Sequence, residues 1–239
     1  MQERSGVSAL ILGIFILAGL AALGYLLGKA AIEFRQLERT VTVKGLAERE
    51  YPADVVIWPI QFAEASNDLP ELYTRLAENT ERIRAFLSER GVSAAEISVS
   101  PAAVFDRSAQ PYGGGQREDF RYTATQTVTV YSTQVDQIRG LMNGLAELGK
   151  EGIAFSGDDY QSRTQYLFNR LNEVKPEMIE EATVQARLVA EKFAEDSNSR
   201  LGKIKTASQG QFSINDRDSN NPHIKNVRVV STVEYYLAD

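Results

Sequence analysis

The sequence contains no cysteine and a single histidine, His223, and both shortages remove whole classes of function. Without cysteine the chain has no disulfide, no thiolate nucleophile, and no ligand for a zinc–cysteine site or an iron–sulfur cluster. With one histidine it cannot build a multi-histidine metal site, and any catalytic triad would have to use His223. We therefore expect a protein that is not an enzyme, with no catalytic residues, no cofactor and no metal.

Basic residues are also in short supply. Lys and Arg number 26 against 32 Asp and Glu, which gives a net charge of −6. Proteins that bind nucleic acid usually carry a basic surplus, so we expect no nucleic-acid partner. The remaining composition, with 43% hydrophobic and 24% charged residues, is that of an ordinary globular chain. It excludes collagenous, coiled-coil and wholly disordered classes.

A long apolar run stands near the N-terminus. Residues 5–28 (SGVSALILGIFILAGLAALGYLLG) contain no charged residue, and Arg4 and Lys29 bracket them. About 20 predominantly apolar residues suffice for a helix to cross the hydrocarbon core of a bilayer. Tyr25 lies near one end, where an amphipathic ring favours the membrane interface. We predict a transmembrane anchor over residues 1–34, followed by a domain over residues 40–239.

The alternative to an anchor is a cleaved signal peptide. The apolar segment of a signal peptide spans about 7–15 residues and precedes a small-x-small cleavage site. This run is longer, and the residues that follow Gly28 match such a site poorly, which favours an uncleaved anchor. Gly24 and Gly28 form one G-x-x-x-G pair, which either lets two helices approach closely or simply faces lipid.

Hydrophobic patterning of the remaining chain predicts alternating helices and strands. A helix over residues 69–90 would be capped by Asn67 or Asp68 and end at Gly91, and Pro59 indicates a sheet edge or a bulge. Two more helices are predicted over residues 135–148, ended by Gly149, and 164–200, interrupted near Pro176. Strands are predicted over residues 40–44, 54–65, 97–105, 121–131, 153–161, 203–214 and 226–237.

One order of elements occurs twice along the chain. The order is a helix, a glycine, a strand, an Asp-Arg pair, a polar loop and a long strand. The glycine is Gly91 in the first occurrence and Gly202 in the second. The predicted fold is therefore α+β, with two βαββ-like halves, a mainly antiparallel sheet and long packing helices, preceded by one transmembrane helix. Internal duplication and chance recurrence of a common unit both remain open explanations.

Two separated stretches carry a resemblance to a known family. The first is Thr40-Val41-Thr42-Val43-Lys44-Gly45 with Ala53-Asp54-Val55. The second comprises Glu181-Ala182, Ala186-Arg187, Ala190-Glu191-Lys192, Ala194 and Leu201-Gly202-Lys203-Ile204. Their order and spacing resemble the SIMPL-domain family of exported bacterial proteins over residues 39–239. The chain departs from the family at Ala53, where proline is usual, and at Asn198-Ser199-Arg200, where many relatives have a glycine.

The resemblance implies a location and a type of function rather than a reaction. SIMPL proteins are exported or membrane-anchored, some look like subunits of ring- or cage-like oligomers, and no catalytic residues are established for them. The positive-inside count slightly favours a cytoplasmic C-terminal domain. The exported habit of the family outweighs it, so we expect a single pass through the bacterial inner membrane with the domain on the periplasmic side.

Several polar clusters have a structural interpretation that outweighs a functional one. Asp158 and Asp159 are adjacent in a predicted strand, so their side chains point to opposite faces and do not converge on a cation. Residues 215–220 lack the glycine and glutamate of a calcium loop, and residues 113–115 lack the Lys-Ser/Thr ending of a phosphate loop. His223 is expected to be a surface loop residue rather than a general base.

The long strands and one apolar cluster are candidates for contacts between subunits. The strands carry Tyr122, Thr123, Thr125, Thr127, Thr129, Tyr131, Thr232, Tyr235 and Tyr236. They have either one solvated face or an exposed edge that pairs with another subunit. The cluster comprises Tyr160, Tyr166, Leu167, Phe168 and Leu171, for which ordinary core is favoured over a subunit contact.

Two functions from different classes follow from these observations. The first is a membrane-anchored, non-enzymatic SIMPL-like domain that self-assembles into a large ring- or cage-like homo-oligomer at the cell envelope. The second is an envelope stress-related adaptor that binds a protein or small ligand through two polar loops, residues 108–118 and 215–223. The mass of the intact protein would discriminate between them.

Overall fold

The computed structural model describes residues 3–37, 39–109, 119–156 and 163–238. The helices, in chain order, are α1 (Glu3–Leu37), α2 (Leu69–Glu89), α3 (Val135–Met142), α4 (Leu145–Lys150) and α5 (Leu171–Asp196). The strands are β1 (Thr40–Pro52), β2 (Val55–Ser66), β3 (Ile97–Val99), β4 (Ala103–Asp106), β5 (Tyr122–Ser132), β6 (Ala154–Phe155), β7 (Gln165–Leu167), β8 (Arg200–Gln209), β9 (Ser213–Asp216) and β10 (Ile224–Ala238).

The chain divides into two compact units. The first contains Met1–Glu48, Lys175–Ser213 and Arg228–Asp239, and the second contains Arg49–Val174 and Ile214–Val227.

The second unit is a sheet covered by α2. Its described strands lie in the order β3-β5-β2-β6, with β4 also paired to β5 and β7 to β2, and each of these pairs is antiparallel. Alternate residues of β2 and β5 face α2, which contributes an apolar stripe at helical spacing. The largest side chains that are fully buried in this core are Phe62, Ile60, Leu72, Ile83, Leu87, Ile138, Val56, Val128 and Val130.

The ends of α2 follow from its local sequence. The Asp68 side chain accepts a hydrogen bond from the Glu71 backbone N–H at 2.9 Å, which caps the first turn. At the other end Gly91 adopts a φ of 88°, and its N–H and that of Val92 bond to Ser88 and Leu87 at 3.0 Å. This is the Schellman ending, so the predicted helix and both of its caps are confirmed.

The first unit is a sheet that packs on α5 through very small residues. Its strands lie in the order β1-β10-β8, with β10 antiparallel to β8. A Cβ atom at Gly45 of β1 would overlap the backbone of Ala182 and Ala186 on α5. The strand and the helix therefore approach more closely than any residue with a side chain would allow. The buried positions of α5 are Met178, Ala182, Ala186, Ala190 and Ala194.

The predicted fold class is confirmed: the chain is α+β, its sheets are mainly antiparallel, and it has one apolar N-terminal helix. Both units also order their strands alike. In the second unit, β5 lies between β2, which precedes α2, and β3, which follows it. In the first unit, β10 lies between β1 and β8, the strands of that unit that precede and follow α5. This arrangement is the repeated unit that the sequence pattern indicates.

Several predicted boundaries are wrong. The helix over residues 135–148 is two short helices, α3 and α4, and the left-handed residue is Gly152, with a φ of 98°, rather than Gly149. The stretch over residues 164–200 begins with β7, and α5 then contains Pro176 in its second turn. The strand over residues 97–105 is interrupted around Pro101, which leaves β3 and β4 as separate short strands.

Pro59 has a simpler explanation than the predicted bulge. The register between β2 and β5 is continuous, and Pro59 lies opposite Thr129. On its other side β2 pairs with β7 through residues 55–57 and with β6 through residues 62 and 63. Pro59 falls between these two segments, where no described strand requires its missing N–H.

Candidate functional site: an open sheet edge

Among the described residues, no three His, Asp or Glu side chains lie close enough to hold a metal ion. The predicted Asp158-Asp159 pair and the glycines 113–115 lie outside the described residues. The predictions that the protein is not an enzyme and has no cofactor stay predictions.

The polar loop between β9 and β10 is organised by Asp218. Its carboxylate accepts hydrogen bonds from the backbone N–H groups of Asn220 and Asn221 and from Arg217 Nε, each at 2.9 Å. The Arg217 guanidinium, with Asn221, lowers the pKa of Asp218 to about 2. Asp216, in β9, pairs with Lys225 of β10. Both carboxylates are thus used inside the hairpin that carries them.

His223 lies in this loop, where its side chain is half-buried. Its carbonyl oxygen accepts the N–H of Ala53 at 2.8 Å, and its ring meets Tyr166 edge-on, with centroids 6.0 Å apart. Burial is the main cause that lowers the pKa of His223, and burial likewise raises that of Tyr166. Both shifts favour the neutral form of the side chain.

The apolar cluster before α5 is ordinary core, as favoured. Tyr166 and Phe168 are buried, and Phe168 stacks on Tyr51 with ring centroids 5.4 Å apart. Tyr160 lies outside the described residues.

Of the two interpretations of the Thr- and Tyr-rich strands, the exposed sheet edge is wrong. β5 lies between β2 and β3 with β4, and β10 lies between β1 and β8 with β9. Their backbone groups are therefore engaged on both sides. The residues 123, 125, 127 and 129 of β5 are instead part of a half-exposed sheet face, which is the other interpretation that the pattern allowed.

The open edge belongs to a different strand, β8. Among the described strands it pairs only with β10, and nine of its ten residues are exposed. Both of its faces are thus uncovered, and even Ile204 keeps 49% of its surface exposed. β1 borders the same sheet, but its alternate residues Val43, Gly45 and Ala47 are buried. A strand exposed on two faces and one edge is the most accessible backbone in this unit.

Sequence reasoning missed this site although the signal was present. The segment is assigned as a strand, yet it contains only Ile204 and Ala207 as apolar residues between Lys203 and Gln209. A strand with one buried face carries an apolar residue at every second position. Its absence in β8 indicates that neither face is covered.

A groove runs along β8 where α5 fails to cover it. Its volume is about 550 Å³, and the helix contributes Val184, Arg187 and Glu191 to one wall. The other wall is the start of β8 with Tyr235 of β10. The lining residues are Thr183, Val184, Arg187, Glu191, Leu201, Gly202, Lys203, Ile204 and Tyr235.

The N-terminal helix α1 is the second feature of functional interest. Its segment Leu12–Ala30 has a mean hydropathy of 1.8, and none of it is buried. A helix of this length and composition is suited to cross a membrane, and a signal sequence shares both properties. Cβ atoms placed at Gly24 and Gly28 would meet nothing within 4 Å, so their role in a helix–helix contact stays a prediction.

These features define a class: an α+β protein with antiparallel sheets, an apolar N-terminal helix and an open sheet edge. Within that class the chain belongs to the SIMPL family, described as "Protein of unknown function (DUF541)", whose sequence model matches residues 41–233. No curated protein matches the chain.

The structure explains two motifs that carried the family resemblance. Gly45 ends the first motif because only glycine fits against the alanines of α5. Asp54 begins the second strand because its carboxylate accepts the backbone N–H groups of Asn169 at 2.9 Å and Arg170 at 3.0 Å, just before α5. Ala53, where the family usually has proline, donates its N–H to His223, which a proline could not do.

Proposed function

We propose that this chain is a membrane-anchored, non-enzymatic subunit whose SIMPL domain self-assembles into a ring- or cage-like oligomer at the cell envelope. The observation that carries the proposal is β8, a ten-residue edge strand exposed on both faces. Exposed edges of this length readily pair with another chain, and soluble proteins usually shorten, cover or charge them. A protein that functions through assembly has a reason to keep such an edge open.

The apolar helix supports the anchoring part of the proposal. Leu12–Ala30 is long and apolar enough to cross the membrane, and α1 continues to Leu37 before β1 begins at Thr40. Anchoring confines the domains to a thin layer at the membrane, which raises their effective concentration. Contacts that would be too weak to assemble a freely diffusing protein then suffice.

The first experiment measures the mass of the full-length protein extracted in mild detergent, by light scattering, together with images of the particles. A discrete large assembly is the expected result. A monomer at every concentration would refute self-assembly and would favour the adaptor function, whose next test is whether the loops at 108–118 and 215–223 retain a partner.

The proposed location is the bacterial inner membrane, with the domain on the periplasmic side. The absence of cysteine makes this simple to test, because Glu78→Cys, on the exposed surface of α2, introduces the only thiol. Labelling of intact cells by a maleimide that passes the outer membrane but not the inner one is the expected result. Labelling only after cell lysis would contradict the orientation, and an intact mass that lacks the apolar run would indicate a cleaved signal instead.

A further inference from the structure

We propose that two copies of this chain join through β8, which pairs antiparallel with β8 of the second copy about a twofold axis at Ala207. This inference rests on the proposed self-assembly and specifies one of its contacts. It would extend the three main strands of the first unit across the axis into a continuous sheet shared by two copies. Such a contact is isologous, so each copy contributes the same residues.

The backbone groups of β8 are engaged with β10 on one side of the strand. The register between β8 and β10 is regular over residues 206–209 and shifts twice toward Arg200, on either side of Tyr235. Among the described strands nothing pairs with the other side, so its outward N–H and C=O groups are exposed. Strand addition satisfies these groups with a second backbone, and antiparallel pairing does so with linear hydrogen bonds.

The charge pattern of β8 disfavours pairing registers that are centred on its lysines. Lys203 and Lys205 are the cations in the middle of β8, whereas residues 206–213 (TASQGQFS) contain no charge. A twofold axis at Ile204 or Lys205 would bring lysines opposite each other, which is unfavourable. An axis at Ala207 instead pairs residues 205–209 of the two copies and brings Lys205 opposite Gln209, while Lys203 lies beyond the paired residues. The uncharged half of the segment is therefore the one suited to self-pairing.

The side chains around the proposed axis at Ala207 leave room for a second strand. Thr206, Ala207 and Ser208 are small and exposed, so two copies of this segment approach without a steric conflict. In this register the paired residues are 205–209 of each copy, with these small side chains at the centre.

The lysines have a defined role in this arrangement. Lysine on an edge strand disfavours indiscriminate pairing, because most registers bring it near another cation. Lys205 is also paired with Glu234 on the neighbouring strand, with 3.3 Å between Nζ and the carboxylate. The two lysines thus protect one end of the edge and leave the uncharged end open to pairing.

The test uses single-cysteine variants of the full-length protein in mild detergent. In the proposed register the two copies of residue 207 are neighbours, whereas two copies of residue 205 are about 14 Å apart, too far for a disulfide. Ala207→Cys should cross-link at least about five-fold more than Lys205→Cys or Gln209→Cys. Ser98→Cys, an exposed position on β3 of the other sheet, is the matched control.

A mixing experiment then fixes the register. Lys205→Cys and Gln209→Cys, each expected to remain uncross-linked alone, should form a heterodimer when they are mixed, because residues 205 and 209 are opposite each other. Cross-linking that does not depend on position, or no cross-linking in a protein that still forms the large assembly, would overturn this contact while leaving self-assembly intact. A folded protein that stays monomeric would overturn both proposals.

Discussion

The two units pack one helix on one antiparallel sheet with opposite choices of side chain. In the second unit, α2 buries Leu72, Leu76, Ile83, Phe86 and Leu87 against β2 and β5. In the first unit, α5 buries four alanines at four-residue spacing against β1 and β10, and Gly45 brings the backbones together. The second unit derives its stability from the volume of apolar side chain that it buries, and the first unit derives its stability from the close fit of helix and sheet.

This difference affects what each sheet leaves exposed. Large side chains on α2 reach across two strands, and the short strands beside them also join the core. Alanines on α5 reach only the strands directly beneath, so β8 lies beyond the helix and stays uncovered. The small residues of α5 and the open edge at β8 thus have one cause. The helix packs closely on two strands and does not cover the third.

The largest expected effect tests the volume-dependent unit. Phe62→Ala removes a fully buried ring from β2 and should lower the free energy of unfolding by about 3–5 kcal/mol. Ala190→Gly, in the centre of the α5 stripe, should cost only about 1 kcal/mol, mainly through helix propensity. Denaturant unfolding of the full-length protein measures both. Equal losses would contradict the proposed difference between the units.

The second prediction tests the fit-dependent unit. Gly45→Val requires α5 to move away from β1 and should destabilise the protein by about 3 kcal/mol, at the upper end of overpacking effects. Hydrogen exchange should show the loss in α5 and β1, with α2 less affected. Gly140→Ala is the control, since a Cβ there meets nothing within 4 Å. If α5 keeps its protection in Gly45→Val, the close approach is not what stabilises this unit.

The third prediction concerns the carboxylate that precedes α5. Asp54→Ala leaves the N–H groups of Asn169 and Arg170 without their acceptor and should cost about 2 kcal/mol. Asp136→Ala removes an equally charged group whose own side chain is almost fully exposed, and it should change stability by less than about 0.5 kcal/mol. Thermal unfolding of the two variants side by side distinguishes a positioned carboxylate from mere charge.

The sequence predicted well where local rules act. The caps of α2, the two long central strands and the apolar N-terminal helix follow from residue types at fixed spacing, and the fold class follows from their order. The boundaries failed where tertiary contacts override propensity. Pro176 lies inside α5, and a two-residue strand such as β6 exists only because β2 pairs with it.

The candidate site was missed for a related reason. Alternating Thr and Tyr on β5 and β10 indicates strands, but neighbours along a sheet are set by topology, which periodicity does not report. The edge strand β8 carries a weaker pattern because no core selects its residues. A sequence can therefore identify its core strands more readily than the strand on which a function based on pairing depends.

The smallest expected effect compares how the two packing helices end. α2 ends at Gly91 with a φ of 88°, whereas α5 ends at Asn198 with a φ of 52°, and Ser199 N–H bonds to Ala194 at 2.8 Å. Both are Schellman endings that require a left-handed residue, which glycine adopts without strain and asparagine tolerates. Asn198→Gly should therefore stabilise the protein by about 0.5 kcal/mol, while Asn198→Ala should cost about 1 kcal/mol. Gly91→Asn, at the end of α2, should destabilise the protein by about 0.5 kcal/mol for the same reason. Denaturant midpoints resolve these shifts, and a loss of stability in Asn198→Gly would mean that the asparagine side chain contributes more than its backbone conformation.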